Sequence, residues 1–438
     1  MNHQICGLLA ACGLFFLGAV SSDSAIAGKL NRYTFFTAHS SGTLTPNTTS
    51  LVDSVFYNPA AVVHGDDGFE MHLSNIVTLG DYYFERGDVV KHFQLGTYFL
   101  PSVMLRWVDG DIALFGAVFP QAGGLVDVRD DAPVFDESRE FLINASNESA
   151  LNPGLIVSDV RFSDNRLRVL SAYLGGVAGI SLKLNDMVSA AIAAKPVYSF
   201  GEVLLSGSIE LFNEDFGWFD LPELKDSRIL TEQEGWGVGG IFGVQVQPDP
   251  TLVMTLKYET VTQIKLETTP IEDPAGLSEA QGDFRTDIPA MLNLGVSKAF
   301  SRLRLRFDAN YYFNRYADAG TILGVNINGI LKDDWELALG AVYTVDDRLD
   351  VGAGIAYFDT GYSDEIRRSN RYSMDSLSVG TWSQFDITES ITLGASILGV
   401  AYREGKTALT PATSQTPSAQ TTLGLNFLIV ATDLHWRF

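Results

Sequence analysis

The sequence predicts an all-β fold: a transmembrane antiparallel up-and-down β-barrel of about 14 strands, with an N-terminal hatch plugging the lumen. Three observations predict it. Apolar and polar residues alternate at period two over segments of roughly 10 to 18 residues, each ending in turn chemistry. The connections alternate between short and long. The chain is 46% hydrophobic and 11% aromatic but only 19% charged, yet beyond its N-terminal segment no apolar run approaches the roughly 18 residues of a membrane helix. Abundant apolar surface chopped into alternation suits lipid-facing strands, because in hydrocarbon only helices and closed barrels satisfy their own backbone.

Residues 1–27 read as a cleaved signal peptide. An apolar run from Ile5 to Val20 is followed by Ala25-Ile26-Ala27, a small-x-small cleavage pattern before Gly28. Leu9-Ala10-Ala11-Cys12 has the shape of a lipoprotein box, but it lies too early, with most of the apolar run after it. Both cysteines, Cys6 and Cys12, fall in the segment to be removed, so the mature chain has no disulfide framework and no cysteine metal site.

Residues 28–65 show no clean alternation and are rich in Ser, Thr, Asn and Gly. A tail of this length is disordered unless it is tied down, and a barrel of this size either holds a plug or leaves a channel. The segment is therefore expected to fold into the lumen as the hatch. The barrel then occupies 66–438, its first strand beginning near Phe69.

The clearest strand is Leu303 to Asn314. Leu303, Leu305, Phe307, Ala309, Tyr311 and Phe313 share one face, and Arg304, Arg306, Asp308, Asn310 and Asn314 share the other. A wet lumen holds such a second face cheaply; a buried soluble sheet does not. Trp335 to Tyr343, Leu349 to Tyr357 and Leu252 to Glu259 repeat the pattern. Helical apolar stripes are absent from these stretches. Short turns are expected at Asp109-Gly110, Asn185-Asp186, Pro248-Asp249-Pro250, Ser301-Arg302, Asp346-Asp347-Arg348 and Thr388-Glu389-Ser390. Longer polar loops are expected near 130–165, 206–233, 268–283, 315–332, 363–371 and 404–420. Short periplasmic turns alternating with long external loops is the membrane-barrel pattern.

At the C-terminus, Leu434, Trp436 and Phe438 share a face opposite Asp433, His435 and Arg437. A final aromatic residue on a lipid-facing strand resembles the assembly signal of outer-membrane proteins. The formal charge of −23 argues against a nucleic-acid partner, which requires a basic face. Acidic residues such as Asp130, Asp131, Asp136, Glu137 and Glu140 solvate the loops. Enzyme chemistry finds little support. The six histidines, at positions 3, 39, 64, 72, 92 and 435, have no metal-ligand spacing, and neither a nucleophile elbow nor a phosphate loop is present. The lumen charges Lys257, Glu259, Arg304, Arg306 and Asp308 read as a structural network.

Several stretches carry a family resemblance. Asp53-Ser54-Val55-Phe56-Tyr57-Asn58-Pro59-Ala60-Ala61 resembles the NPA hatch motif of the FadL/TodX family of outer-membrane transporters of hydrophobic compounds. Glu234-Gly235-Trp236-Gly237-Val238-Gly239 resembles its G-W-G strand opening, with Leu256-Lys257-Tyr258-Glu259, Pro289, and the hairpin from Trp335 to Asp359 following in the family's order. The resemblance covers nearly the whole mature chain. It implies 14 strands and a hatch contact at Asn58, Pro59 and Ala60. It further implies capture of ligand near the external loops, passage to a lumen pocket, and lateral exit through a break in the third strand, Asp111 to Arg129, at Pro120, Gln121, Ala122, Gly123 and Gly124. The break also has a local cause, because proline cannot donate to a ladder and paired glycines weaken a strand. The readings without transport are a plain bulge at the break and a plain turn at Asn58-Pro59. One departure is visible: Gly42 to Ser50, rich in threonine, replaces the Gly/Ala-rich run that usually precedes NPA.

The expected function is passive uptake of a hydrophobic small molecule, such as a long-chain fatty acid, through a Gram-negative outer membrane. The expected protein is a monomer among lipid and lipopolysaccharide, handled by the outer-membrane assembly machinery, with no metal or cofactor. A general diffusion porin and a surface adhesin or receptor barrel are the alternatives.

Overall fold

Turn chemistry lays out the sheet. In the computed structural model Asp346 Oδ1 accepts from the backbone N–H of Arg348 at 2.8 Å and of Leu349 at 3.0 Å. Asp249 does the same for Thr251 and Leu252, and Asn185 for Met187 and Val188. A side-chain oxygen that bonds the backbone two and three residues on closes the chain tightly. At Gly110 (φ 59°) the left-handed backbone makes the turn directly. All six of the short turns expected from the sequence join strands.

The structure describes residues 37–86, 89–129, 139, 143, 156–215, 217–220, 227–272, 284–318, 321–322, 325–326, 332–361, 374–407 and 421–438. The expected signal peptide and residues 28–36 of the hatch segment lie outside them. Six turns join twelve strands, and one strand at each end makes fourteen. These are β1 (Gly68–Arg86), β2 (Val89–Asp109), β3 (Ile112–Arg129), β4 (Asp159–Lys183), β5 (Val188–Asn213), β6 (Ser227–Asp249) and β7 (Leu252–Glu259, resuming as Lys265–Glu272). The second half holds β8 (Met291–Phe300, preceded by Phe284–Arg285), β9 (Leu303–Tyr312), β10 (Asp334–Thr344), β11 (Leu349–Asp359), β12 (Ser376–Asp386), β13 (Ile391–Tyr402) and β14 (Thr421–Arg437). Neighbours pair antiparallel, and β14 pairs with both β13 and β1, with Leu434 opposite Leu393 on one side and Leu73 on the other. The sheet is therefore closed and has no edge.

Loop expectations are corrected at several places: within 130–165 β4 already starts at Asp159, within 315–332 Thr321–Ile322 pairs with Val325–Asn326, and within 404–420 Gly405–Thr407 pairs with β14. Within 206–233 the chain continues β5 to Asn213, forms a short strand Gly217–Asp220 and starts β6 at Ser227; within 268–283 strand runs on to Glu272. Beyond the bilayer a ladder needs only backbone partners, so polar sequence there conceals strand.

Along β8 and β9 the two faces separate cleanly. Leu294, Val296, Leu305 and Phe307 are exposed, whereas Asn293, Ser297 and Asp308 are buried. The lumen face is buried because residues 37–64 fill the barrel. They form α1 (Ala38–Thr43), α2 (Ser54–Tyr57) and two 3-10 turns, Pro46–Thr48 and Pro59–His64. Thr37 caps α1 by accepting from the Ser40 N–H at 3.0 Å. Leu44 ends it in the left-handed region at φ 58°, a conformation disfavoured for a branched residue and held here by its N–H bond to Ser40 O and by burial.

Candidate functional site

The hatch is fastened to the lumen wall by buried polar groups. The carboxylate of Asp433 on β14 accepts from the first amides of α1, with Ala38 N at 2.8 and 2.9 Å and His39 N at 3.4 Å. These amides have no partner inside the helix, so a carboxylate there satisfies them. Farther along, Asp308 on β9 accepts from Asn47 N at 2.7 Å, and Asn47 Nδ2 donates to Leu294 O at 2.9 Å. Lys257 on β7 donates to Phe56 O at 3.0 Å and to Glu259, which also receives Lys195 of β5 at 2.5 Å. Arg106 on β2 donates to Ser50 O at 2.8 Å and pairs with Glu70 at 2.9 Å. Of the charges expected to be structural, Lys257 and Asp308 thus bridge hatch to wall and Glu259 anchors Lys257, with four partners the sequence reading did not single out: Lys195, Glu70, Arg106 and, opposite Asn58, Gln245. Their signal was present as isolated charged or amide side chains at lumen parity in otherwise apolar strands.

A histidine relay ties the hatch to itself and to β9. His39 Nδ1 lies 2.8 Å from Asp53 Oδ2, and Arg306 reaches His39 Nε2 at 2.6 Å. Arginine can only donate, so Nε2 is the acceptor and Nδ1–H donates to Asp53. Thr37 and Thr49 also donate to Asp53, at 3.1 and 2.8 Å. Burial alone would raise the Asp53 pKa, but His39, the nearby His72 and the Thr49 hydroxyl bring it down from 3.8 to about 2. A depressed carboxylate pKa contributes stability that is complete above the unfolded value and lost as pH falls through the folded one. Hydrogen-exchange protection of residues 37–64 is expected to hold from neutral pH to about 4, then fall towards pH 2, while β8–β9 stays protected. Protection lost above pH 5, or undiminished at pH 2, contradicts this account.

The NPA residues lie at the other end of the hatch. Asn58 Nδ2 donates to Gln245 Oε1 on β6 at 2.8 Å and to Thr49 O at 3.2 Å. The Pro59 ring lies over Gly243. Ala60 O accepts from Ser189 at 2.6 Å and Ser181 at 3.3 Å. The middle of the hatch, Gly42 to Thr48, rests on lumen-facing glycines: a Cβ on Gly354 or Gly340 would collide with the Thr43 carbonyl, and one on Gly295 with Asn47 and Thr48.

Residues Pro120 to Gly124 mark a discontinuity in the wall. The β2–β3 ladder runs from Asp109↔Ile112 to Val103↔Val118 and stops, although β2 remains paired with β1 and β3 with β4. Extending the register puts Pro101 of β2 opposite Pro120 of β3, and neither residue has an amide hydrogen. On the other edge of β3 the ladder to β4 persists with a one-residue shift between Pro120 and Ala122, and Gly123 adopts φ 141° against the Ser171 carbonyl. The gap thus opens on one side of β3 only. Phe119, immediately before it, is fully buried and meets Phe56 of α2 edge to face at 5.1 Å. The hatch therefore touches the break. At the C-terminus, Trp436 stacks on Phe438 at 4.7 Å, Phe438 N donates to Phe69 O at 3.0 Å, and Leu434 lies in the closing seam.

Residues 178–427 match the family model described as outer membrane protein transport protein (OMPP1/FadL/TodX). No curated protein sequence matches the chain. Among solved structures, a FadL homologue of Pseudomonas aeruginosa is similar with a TM-score of 0.64 at 15% identity, over 92% of this chain and 98% of that one. The P. putida toluene transporter TodX is similar at 0.58 and 15%, over 88% and 94%. The monoaromatic hydrocarbon channel CymD is similar at 0.54 and 12%, over 91% and 98%. At such identities the likeness to these structures concerns the fold alone.

Proposed function

The chain belongs to the OMPP1/FadL/TodX family of outer membrane transport proteins, and from that premise we propose that it takes up long-chain fatty acids and similar lipophiles by a lateral route. The family assignment places it in a Gram-negative outer membrane as a transporter of hydrophobic compounds and not an enzyme. The finer reading rests on one observation: an axially filled barrel whose wall is discontinuous beside the filling. The hatch occupies the lumen at residues 37–64, while the β2–β3 ladder ends at Val103↔Val118. An apolar solute captured outside meets Phe119, Phe56 and Met104 next to that gap, and leaving sideways spares it the aqueous periplasm. Asn58, Pro59 and Ala60 hold the hatch end that abuts this lining. Recognition of Leu434, Trp436 and Phe438 by the assembly machinery belongs to the same proposal.

The test is uptake of radiolabelled oleate, alongside conductance of small sugars, in cells carrying the wild type or a variant lacking residues 37–64. The wild type is expected to take up oleate and exclude sugars, and the deletion to pass sugars. Sugar passage through both, with oleate uptake by neither, removes the transporter reading.

A further inference from the structure

The wall is discontinuous at a second place. The β6–β7 ladder runs from Asp249↔Leu252 to Ile241↔Glu259 and resumes at Glu234↔Glu267. Between them Gly240 bonds Thr260, with Thr260 N to Gly240 O at 2.9 Å, and no ladder pair follows until Glu234. The intervening chain pairs with its other neighbour instead: Thr262 and Ile288 exchange two backbone bonds of 2.9 Å, and Thr286 N donates to Ile264 O at 2.9 Å. It also shifts inwards. The carbonyls of Gln263 and Lys265 lie against the lumen faces of Gly237 and Gly235, where no Cβ could fit. The alternating glycines of β6 are therefore the bed on which 260–266 lies, inside the cylinder.

Withdrawal of this segment leaves a furrow on the lipid side. Trp236 and Val238 on β6 are 68% and 67% exposed, as Phe99 is (70%) beside the first gap, whereas Leu294, Val296, Leu305 and Phe307 on the continuous wall are 40–46% exposed. On the lumen side Ile264, Leu266 and Ile288 pack with Tyr173 and Val197, and Ala122 of the β3 break joins the same cluster. The lining of the second discontinuity therefore reaches the β3 break at Ala122, next to the separate cluster of Phe119, Phe56 and Met104 at the first gap. Beside it, Thr262 Oγ1, Thr231 Oγ1 and Gln233 Nε2 are buried with no hydrogen-bond partner among the described residues. Buried donors of this kind ordinarily have a partner, and an oxygen-bearing headgroup supplies one.

We propose that the interruption between β6 and β7 is a second lateral port, through which segment 260–266 passes an apolar ligand carrying an oxygen headgroup between lumen and membrane. The inference rests on the transport reading above. A paired barrel wall leaves no backbone group unsatisfied in lipid, so a break at this position needs a use, and Ala122, which lies on the β3 break and packs against the second lining, gives the ligand a path from the first gap to it. Thr260, bonded to Gly240, is the hinge from which the segment moves.

The only cysteines in the sequence are Cys6 and Cys12, so introduced pairs can be bridged with little background. Uptake of radiolabelled hexadecanoate is measured with Val238→Cys/Gln263→Cys before and after bridging by a bis-maleimide. The measurement is made with the β2–β3 gap free and with that gap bridged through Leu100→Cys/Gln121→Cys, opposite each other in the same extended register, a pair that leaves both prolines in place. Each unbridged variant is its own folding control. The expected result is partial loss from either bridge alone and a fall to the level of cells without the protein when both are closed. Uptake unaffected by the β6–β7 bridge in either background overturns the second port, as does complete loss on bridging β2–β3 alone; both leave the transport reading standing. A wild type that takes up no hexadecanoate overturns the reading and the port together.

Discussion

Replacing both facing prolines, Pro101→Thr with Pro120→Thr, is expected to extend the β2–β3 ladder and reduce hydrophobic uptake roughly tenfold, about 1.4 kcal/mol on the exit barrier. The ladder already brings Val103 and Val118 into register, and strand edges with free amides pair when they can. Each threonine restores an N–H and suits a pleated surface. Each new ladder bond contributes about 1 kcal/mol, so the barrel should also resist heat unfolding in detergent better than the wild type. The two readouts move in opposite directions, which separates closure of the wall from damage to it. Unchanged uptake in a demonstrably stiffer barrel eliminates lateral exit at this gap.

The second large effect concerns the hatch. Gly354→Val puts two methyl groups where the Thr43 carbonyl already lies, and the strand, paired on both sides through Gly340 and Gly380, gives way less readily than a short helix. Overpacking of this kind costs about 1–3 kcal/mol. The expected outcome is a folded barrel with a displaced hatch: residues 37–64 become protease-sensitive, and steady ion conductance appears in planar bilayers. Gly399→Val is the control, since a side chain there meets nothing within 4 Å. A closed Gly354→Val barrel with a protected hatch shows that the glycine bed is not what seats it.

The threonine-rich stretch Gly42 to Ser50 departs from the small-residue run expected before NPA, and the wall explains how it fits. Bulk added in the hatch is met by glycines on the barrel at 295, 340, 354 and 380. Small residues are needed at the contact, and here the wall supplies most of them. None of those glycines is distinctive in sequence, because each lies in a strand whose alternation is satisfied with or without a side chain at that position.

Alternation is a local property, and so the barrel was legible. Whether Leu305 faces lipid and Asp308 the lumen depends on neighbours one or two residues away, and on turns such as Asp346 to Leu349 that close on their own atoms. Strand number, closure at Leu434 and the lumen-facing charges follow from that local information. The strand ends near 206–233 did not, since outside the bilayer the alternation that marks strand is no longer required. The site depended on register. Pro120 and Gly123 announce a weak strand, but the side on which the wall opens was decided by Pro101 arriving opposite from another strand. Asp433 was readable as a lumen residue, yet only the closed barrel brings it 2.8 Å from the first amide of α1. In the same way Gly235, Gly237 and Gly239 read as a strand opening, and became a bed only when 260–266 folded over them. The sequence by itself determined a closed sheet, because lipid acts on every strand separately. Where that sheet is interrupted, and what fills it, were decided by tertiary structure, because both depend on which distant residues come to face each other.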